Sequence, residues 1–360
     1  MTGACLERRI ENRQTLSILA LFLIAQFLGL LIAILAATST QVYLYQLSEG
    51  QATSFVPFLL SYLAIFSIAI ILVFRFLRKE LLLKAFGIFF RLLEWALVII
   101  GASTAMSIMI GYLLPAIGGV SLAISVAFGI LLIALKSIRP TTRNAVTLIS
   151  STGFGVLLGF YGFYYAYLFA ALIAVYDYIS VFITKHMLTI AEQASSQNLA
   201  FMISSSEVEV IPSSYLKGAE RKELRSLAST NVKDPYLKGL VKDNKLPTVT
   251  RAALGNGDII IPIMLAVGSY VQFFNYYMPL LVIIFAGLGM MATMAMLKRY
   301  KVPLPAIPPL FAFINLGLAI GYLEMSPGST TLILSYLLVF VLLNAVLLLT
   351  LNRTRRMQGV

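Results

Sequence analysis

Ten apolar runs, each near the length needed to cross a hydrocarbon layer, constrain this chain more than any motif in it. A helix rises about 1.5 Å per residue, so about 20 apolar residues cover a lipid core about 30 Å thick. Runs of that kind lie at 16–37, 56–76, 90–114, 118–135, 145–160, 163–184, 254–273, 276–297, 304–322 and 330–351. The fifth is the shortest. Inside lipid every backbone N–H and C=O needs a partner from the protein, so such runs fold as helices. Composition agrees: hydrophobic residues make up 59% of the chain and charged residues 12%, and the mean hydropathy is +0.90. Soluble domains do not have this balance. The fold class expected is an all-α polytopic membrane protein.

The 27 Lys and Arg residues divide the connecting loops into two sets. They occupy the N-terminus (Arg8, Arg9, Arg13), the second loop and its flanks (Arg75 to Arg91), and the fourth loop (Lys136, Arg139, Arg143). The rest lie in the segment after the sixth span (Lys185 to Arg251), the eighth loop (Lys298, Arg299, Lys301) and the tail (Arg353, Arg355, Arg356). The alternate loops contain none. Positive loops mark the cytoplasmic face. Both termini and the segment 186–250 are therefore expected in the cytoplasm. The net charge of +12 belongs to these loops and implies no nucleic-acid partner. The first apolar run is too long for a signal-peptide core and reads as a retained helix.

The segment 186–250 mixes charge with Ser, Gly and Pro, as partly ordered loops do. Within it, "SEVEVIP" at 206–212 alternates polar and apolar residues and predicts a short strand. One cysteine, Cys5, allows no intramolecular disulfide or cysteine metal cluster, and one histidine, His186, allows no HExxH site. No metal or other cofactor is implied. His186 reads as a residue of the membrane edge. Three regions are expected: a five-helix scaffold over 1–162, four functional helices over 163–322 with the loop 186–250, and an extra helix with a basic tail over 323–360.

All but two of the 15 acidic residues fall in loops or near helix ends. Glu94, one turn from Arg91, reads as half of a surface ion pair. Asp177 and Asp258 remain within spans, where a carboxylate costs roughly 2.5–3.5 kcal/mol on insertion scales. Asp177 precedes Lys185 by eight residues, and Asp258 follows Arg251 by seven. At the helical rise these offsets are roughly 12 Å and roughly 10 Å, which puts both carboxyl groups at one depth. Two carboxyl groups in a poorly solvating site tend to share one proton. Such a pair can take a proton from water with one member while the other polarises an amide carbonyl.

The surroundings fit that use. Gly255 and Gly257 lack side chains, so another backbone can approach Asp258. Pro262 has no N–H for the Asp258 carbonyl, which predicts a local break in the helix. In "KVPLPAIPPLF", residues 301–311, Pro303, Pro305, Pro308 and Pro309 predict extended or polyproline geometry. A strand-like edge there would hold an unwound substrate through main-chain hydrogen bonds.

Tyr176-Asp177, Gly255-Asn256-Gly257-Asp258 and Pro305-Ala306-Ile307, in the sixth, seventh and ninth spans, resemble the motifs of the presenilin and signal peptide peptidase family of intramembrane aspartyl proteases. The motifs cover about residues 165–321; the first five spans match only in number. The resemblance implies a presenilin-like bundle of nine core helices plus a tenth, with Asp177 and Asp258 as catalytic pair. It also implies that Tyr176, Gly255, Gly257, Pro305, Ala306 and Ile307 shape the site or contact substrate. The partners implied are the lipid bilayer and membrane-helix substrates, whose N-terminus by analogy lies outside. Ile307 departs from the family's usual leucine, and the tenth span from its usual nine. The short loops look more like an archaeal homologue than an animal presenilin. The loop after the sixth span has presenilin's orientation, opposite to that of signal peptide peptidase.

Two rivals remain on the sequence. A prepilin-type peptidase also uses a Gly-x-Gly-Asp aspartate but lacks the Pro-Ala-Leu element that "LPAIPP" resembles. A proton-coupled transporter or ion channel would use the aspartates as a relay, but the spans show no internal repeat and few other polar residues. A serine–histidine protease is disfavoured, since no Gly-x-Ser-Gly occurs and His186 sits away from any candidate serine.

Overall fold

A computed structural model describes residues 3–38, 79–115, 120–138, 142–183, 202–212, 245–300, 304–326 and 328–357. The second expected span, His186 and most of the segment 186–250 lie outside the described residues. The helices are α1 (Gly3–Thr38), α2 (Lys79–Leu113), α3 (Ser121–Ile138), α4 (Arg143–Gly159) and α5 (Phe163–Tyr178). After β1 (Met202–Pro212) and β2 (Lys245–Gly255) come α6 (Asn256–Phe273), α7 (Tyr277–Tyr300), α8 (Ile307–Met325) and α9 (Thr330–Met357). Eight of these helices, all but α4, are long and apolar enough to cross a membrane. The chain is a helical polytopic membrane protein, with one two-stranded sheet among the described residues.

Two compact units divide the chain. One comprises residues 1–20 and 204–254 and contains most of the sheet, in which β1 pairs with β2. The strand expected at 206–212 lies within β1. Its partner β2 includes residues 254 and 255, which the hydropathy pattern had given to the seventh span.

The other unit comprises residues 21–203 and 255–360 and is built around α6. α6 packs against α4, α5, α7 and α8. Its most apolar stretch is 78% buried, against 17% for α3 and for α9, yet its mean hydropathy is the lowest of the eight. A helix enclosed by protein need not match lipid on every face, so the most central span can carry the most polar sequence. It also runs unbroken through Pro262, so the expected break does not occur. Proline removes one hydrogen bond of the helix, and close neighbours hold the rest.

Lipid tails are as apolar as leucine, so helices in lipid associate by close packing rather than by the hydrophobic effect. The sequence of α4, "LISSTGFGVLLG", supplies small residues for that purpose. A Cβ at Gly153 would lie 1.8 Å from the carbonyl oxygen of Gly101 on α2, and one at Gly101 would lie 2.0 Å from that of Ser150. On another face of α4, a Cβ at Gly159 would lie 2.6 Å from Val267 on α6. α4 is therefore a short spacer wedged between α2 and α6 at backbone distance.

Glu94 departs from its expected place. It is only 4% exposed and pairs with Lys136 of α3, so it lies inside the α2–α3 contact rather than at a surface beside Arg91. Burying a carboxylate this far requires a charged partner, and Lys136 reaches it from the facing helix.

The packing predicts that Gly153→Ala destabilises the protein by about 1–3 kcal/mol despite alanine's better helix propensity. Gly328→Ala, where an added Cβ meets nothing within 4 Å, should stay within about 0.5 kcal/mol. Unfolding midpoints in detergent check both.

Candidate active site

Asp177 lies one residue before the end of α5, just ahead of a π-helical turn over Ile179–Ile183. Single π turns inside helices often occur at functional sites. Ser180 Oγ donates to the Asp177 carbonyl at 2.9 Å, which fixes the backbone at that point. The Asp177 side chain is turned inward and is 8% exposed.

Asp258 stands in the first turn of α6, three residues after its N-cap, Gly255. The Gly255 N–H donates to Asp258 Oδ2 at 3.2 Å. This is the carboxylate half of a capping box; glycine has no side chain to return the other half. Residues 251–255 are strand, so the offset from Arg251 to Asp258 is not measured by the helical rise used on the sequence. The two carboxyl groups nonetheless lie near enough for the charge of one to act on the other.

The start of α8 lies beside both segments. The Ile307 N–H donates to Asp177 Oδ2 at 3.2 Å. Ile307 Cδ1 also lies 3.8 Å from where a Gly257 Cβ would be. The tips of α5, α6 and α8 thus converge on Ile307. A helix start leaves four N–H groups without internal partners. Here two of those positions are Pro308 and Pro309, which have no N–H, and Asp177 takes the N–H of Ile307. Both prolines belong to the first helical turn, which corrects the expected extended geometry for this pair. Proline fits there because its missing donor would have been unpaired anyway. Only Leu304 and Pro305 precede the helix as non-helical backbone, with Ala306 as its N-cap; Pro303 lies outside the described residues.

The two glycines differ. A Cβ at Gly255 would press on Asp258 Oδ2 at 3.3 Å, so this glycine makes room for the carboxyl group itself. Gly257 is exposed, and a Cβ there would meet Ile307 alone among the described residues, which leaves its face open to an approaching chain. Pro305 and Ile307 are buried, and Ala306 is half-buried. Tyr176, half-buried, is carried beside Asp177 on α5.

Three polar residues of the spans were not singled out on the sequence. Tyr167 Oη donates to Asn315 Oδ1 at 2.6 Å, and Asn315 Nδ2 donates to the Phe311 carbonyl at 2.8 Å. This pair ties α5 to α8 below the aspartate. Gln26 of α1 donates through Nε2 to the Ile259 carbonyl at 3.2 Å, next to Asp258. The available signal was an isolated amide in an apolar run, as in "FLIAQFLGL" and "FAFINLGLA".

No protein-family model matches the chain, and no curated protein matches it. Among solved structures, the chain is similar to a presenilin family intramembrane aspartate protease. The two share 18% sequence identity and a TM-score of 0.45, over 85% of this chain and 98% of that one.

The α5–α8 clamp predicts that Tyr167→Phe leaves the buried Asn315 Oδ1 without its donor, at a cost of about 1–3 kcal/mol. Asn315→Leu in the same background should cost less than it does alone. Unfolding midpoints for the single and double variants give the coupling.

Proposed function

We propose that this chain is an intramembrane aspartyl endopeptidase that hydrolyses peptide bonds within transmembrane segments. The observation that carries the reading is the bond from the first N–H of α8, at Ile307, to Asp177 of α5, with the Gly257-Asp258 turn of α6 packed beside the same Ile307. Among the described residues neither aspartate has a lysine or arginine as a hydrogen-bond partner; each accepts instead from a backbone N–H. That leaves the pair free to trade a proton with a substrate rather than being fixed in a salt bridge.

In the proposed reaction Asp177 and Asp258 together hold one proton. The ionised member takes a proton from a water molecule while the water oxygen attacks the amide carbon. The protonated member donates to the carbonyl oxygen, and a neutral tetrahedral diol forms. Proton transfer back to the leaving nitrogen and loss of a hydroxyl proton then break the C–N bond, giving a carboxylic acid and an amine. The N–H of Ile307 keeps the Asp177 carboxyl oriented through these steps. The open face of Gly257 and the non-helical backbone at Leu304 and Pro305 would receive substrate in an unwound form, since a helix shields its own peptide bonds. The expected orientation, with both termini cytoplasmic, places the reaction toward the cytoplasmic side of the bilayer.

The test is cleavage of a membrane-helix peptide by the purified protein. Asp177→Asn and Asp258→Asn should each lower kcat by about 10²–10⁴-fold or more while substrate binding persists. Activity should follow a bell in pH, lost on the acid side when both carboxyl groups hold protons and on the alkaline side when neither does. A diol-mimicking transition-state analogue should block cleavage. Undiminished cleavage by either variant overturns the proposal. So does acid-driven ion uptake into vesicles that the analogue does not inhibit, in a protein that cuts nothing.

A further inference from the structure

We propose that Gln26 is a positioning residue for Asp258, holding the first turns of α6 from outside where Pro262 has removed a bond from within. The proposal rests on the reading of Asp177 and Asp258 as the catalytic pair.

Gln26 lies mid-way along α1 and is fully buried, at 0% exposed. Its Nε2 donates to the carbonyl of Ile259, the residue after Asp258. Only the nitrogen of the amide can donate to a carbonyl, so the orientation of the side chain is set by this bond. Its Oε1 finds no hydrogen-bond partner among the described residues. A buried amide with one end unpaired is less favourable than an apolar side chain of the same shape. Stability alone does not account for a glutamine here.

The adjacent turn explains what an amide can do that a methionine cannot. Proline has no N–H, and its ring crowds the carbonyl four residues earlier. Pro262 therefore denies the Asp258 carbonyl its usual partner. The turn that carries Asp258 is joined to the rest of α6 by one bond fewer than in a regular helix. Gln26 attaches to the neighbouring carbonyl from another helix.

The geometry delivers that amide to a fixed place. One turn further along α1, a Cβ at Gly29 would lie 2.6 Å from Ile263 Cγ2. On the side of α4, a Cβ at Gly155 would lie 2.8 Å from the same atom. Ile263 is thus seated between two glycines on two helices. The register of α1 on α6 runs from Gln26 at Ile259 to Gly29 at Ile263. α1 cannot slide along α6 without driving Ile263 into backbone, so Gln26 holds its carbonyl at a constant level beside Asp258.

The experiment uses the full-length protein in detergent and a membrane-helix peptide substrate. Gln26→Met keeps the shape of the side chain and removes the donor. Expected are a fall in kcat of about tenfold or more with KM within about twofold, and a thermal midpoint that is unchanged or raised. Pro262→Ala gives the Asp258 carbonyl its N–H back, so Gln26→Met should cost less in that background than in the natural one. Amide exchange at Ile263, whose N–H faces the Ile259 carbonyl, should quicken in Gln26→Met. Unchanged kcat and exchange overturn the proposal, as does a loss of kcat that merely tracks a lowered thermal midpoint or is the same in both backgrounds. If the natural protein cleaves no peptide, the catalytic reading fails and takes this role with it. An active natural protein with an indifferent Gln26→Met sinks the positioning role alone.

Discussion

The bond from the Ile307 N–H to Asp177 depends on a helix start that has almost nothing else to give. A regular helix exposes a cluster of donors at its first turn, and these must find partners or water. In α8 the prolines at 308 and 309 strip that cluster down, and the Leu310 N–H is already committed to the Ala306 carbonyl at 3.4 Å. The Ile307 N–H is directed by the helix axis, not by a rotatable side chain. The carboxyl group that accepts it is located as firmly as α8 itself. α8 is firmly located in turn, because its most apolar stretch is 72% buried and Asn315 holds it to α5. The positive end of the helix dipole faces the same carboxyl group.

Asp258 is placed by a different device with the same logic. It sits in the first turn of α6 and folds back onto the N–H of its own N-cap. Among the described residues each aspartate is held by a backbone N–H rather than by a long side chain. Everything then turns on how well α5, α6 and α8 are held against one another, and here the small residues matter more than the large ones. A Cβ at Gly268 would lie 3.1 Å from the Cα of Phe163, and one at Gly289 would lie 2.9 Å from that of Leu310. These contacts bring α6 to α5 and α7 to α8 at backbone distance. At such separations a shift of a fraction of an ångström already meets repulsion, so the helix tips cannot drift apart without a concerted change.

How much of this could be read from the chain follows from what each feature depends on. Eight of the ten expected spans were legible because hydropathy is a property of single segments; the fifth, α4, is too short to cross a membrane, and the second lies outside the described residues. The strand over 206–212 was legible for the same reason, as alternation is local. The meeting of the three motifs was expected from their residue types, and the structure brings them together at Ile307. What was not legible depended on a neighbour. Glu94 looks like a partner of Arg91 until α3 brings Lys136 beside it. Pro308 and Pro309 read as helix breakers until the helix is seen to start just before them. Residues 254 and 255 read as membrane span until they are seen to belong to β2, which pairs with β1. Gln26 reads as one stray amide, because nothing in its own segment reveals that Pro262, more than two hundred residues away, has left a turn short of a bond.

The last helix was the part of the chain for which the sequence offered no account, and the same bond explains where it goes. Tyr336 of α9 stacks on Tyr322 of α8 with ring centres 5.5 Å apart, and meets Tyr167 of α5 edge-on at the same distance. Toward its other end, Leu347 and Leu351 are buried among Phe182, Met296, Tyr300 and Leu304. Phe182 belongs to the π turn that follows Asp177, and Leu304 to the stretch that leads into Ile307. α9 therefore grips α5 and α8 at two levels, one at Tyr167 of the Tyr167–Asn315 clamp and the other on the segments on either side of the Asp177–Ile307 bond. Much of its outer face is exposed leucine and valine, as suits lipid. A π turn interrupts the regular ladder of helix bonds, and prolines contribute no N–H of their own. Both flank the Asp177–Ile307 bond. A helix laid across them supplies the packing that their own backbones lack.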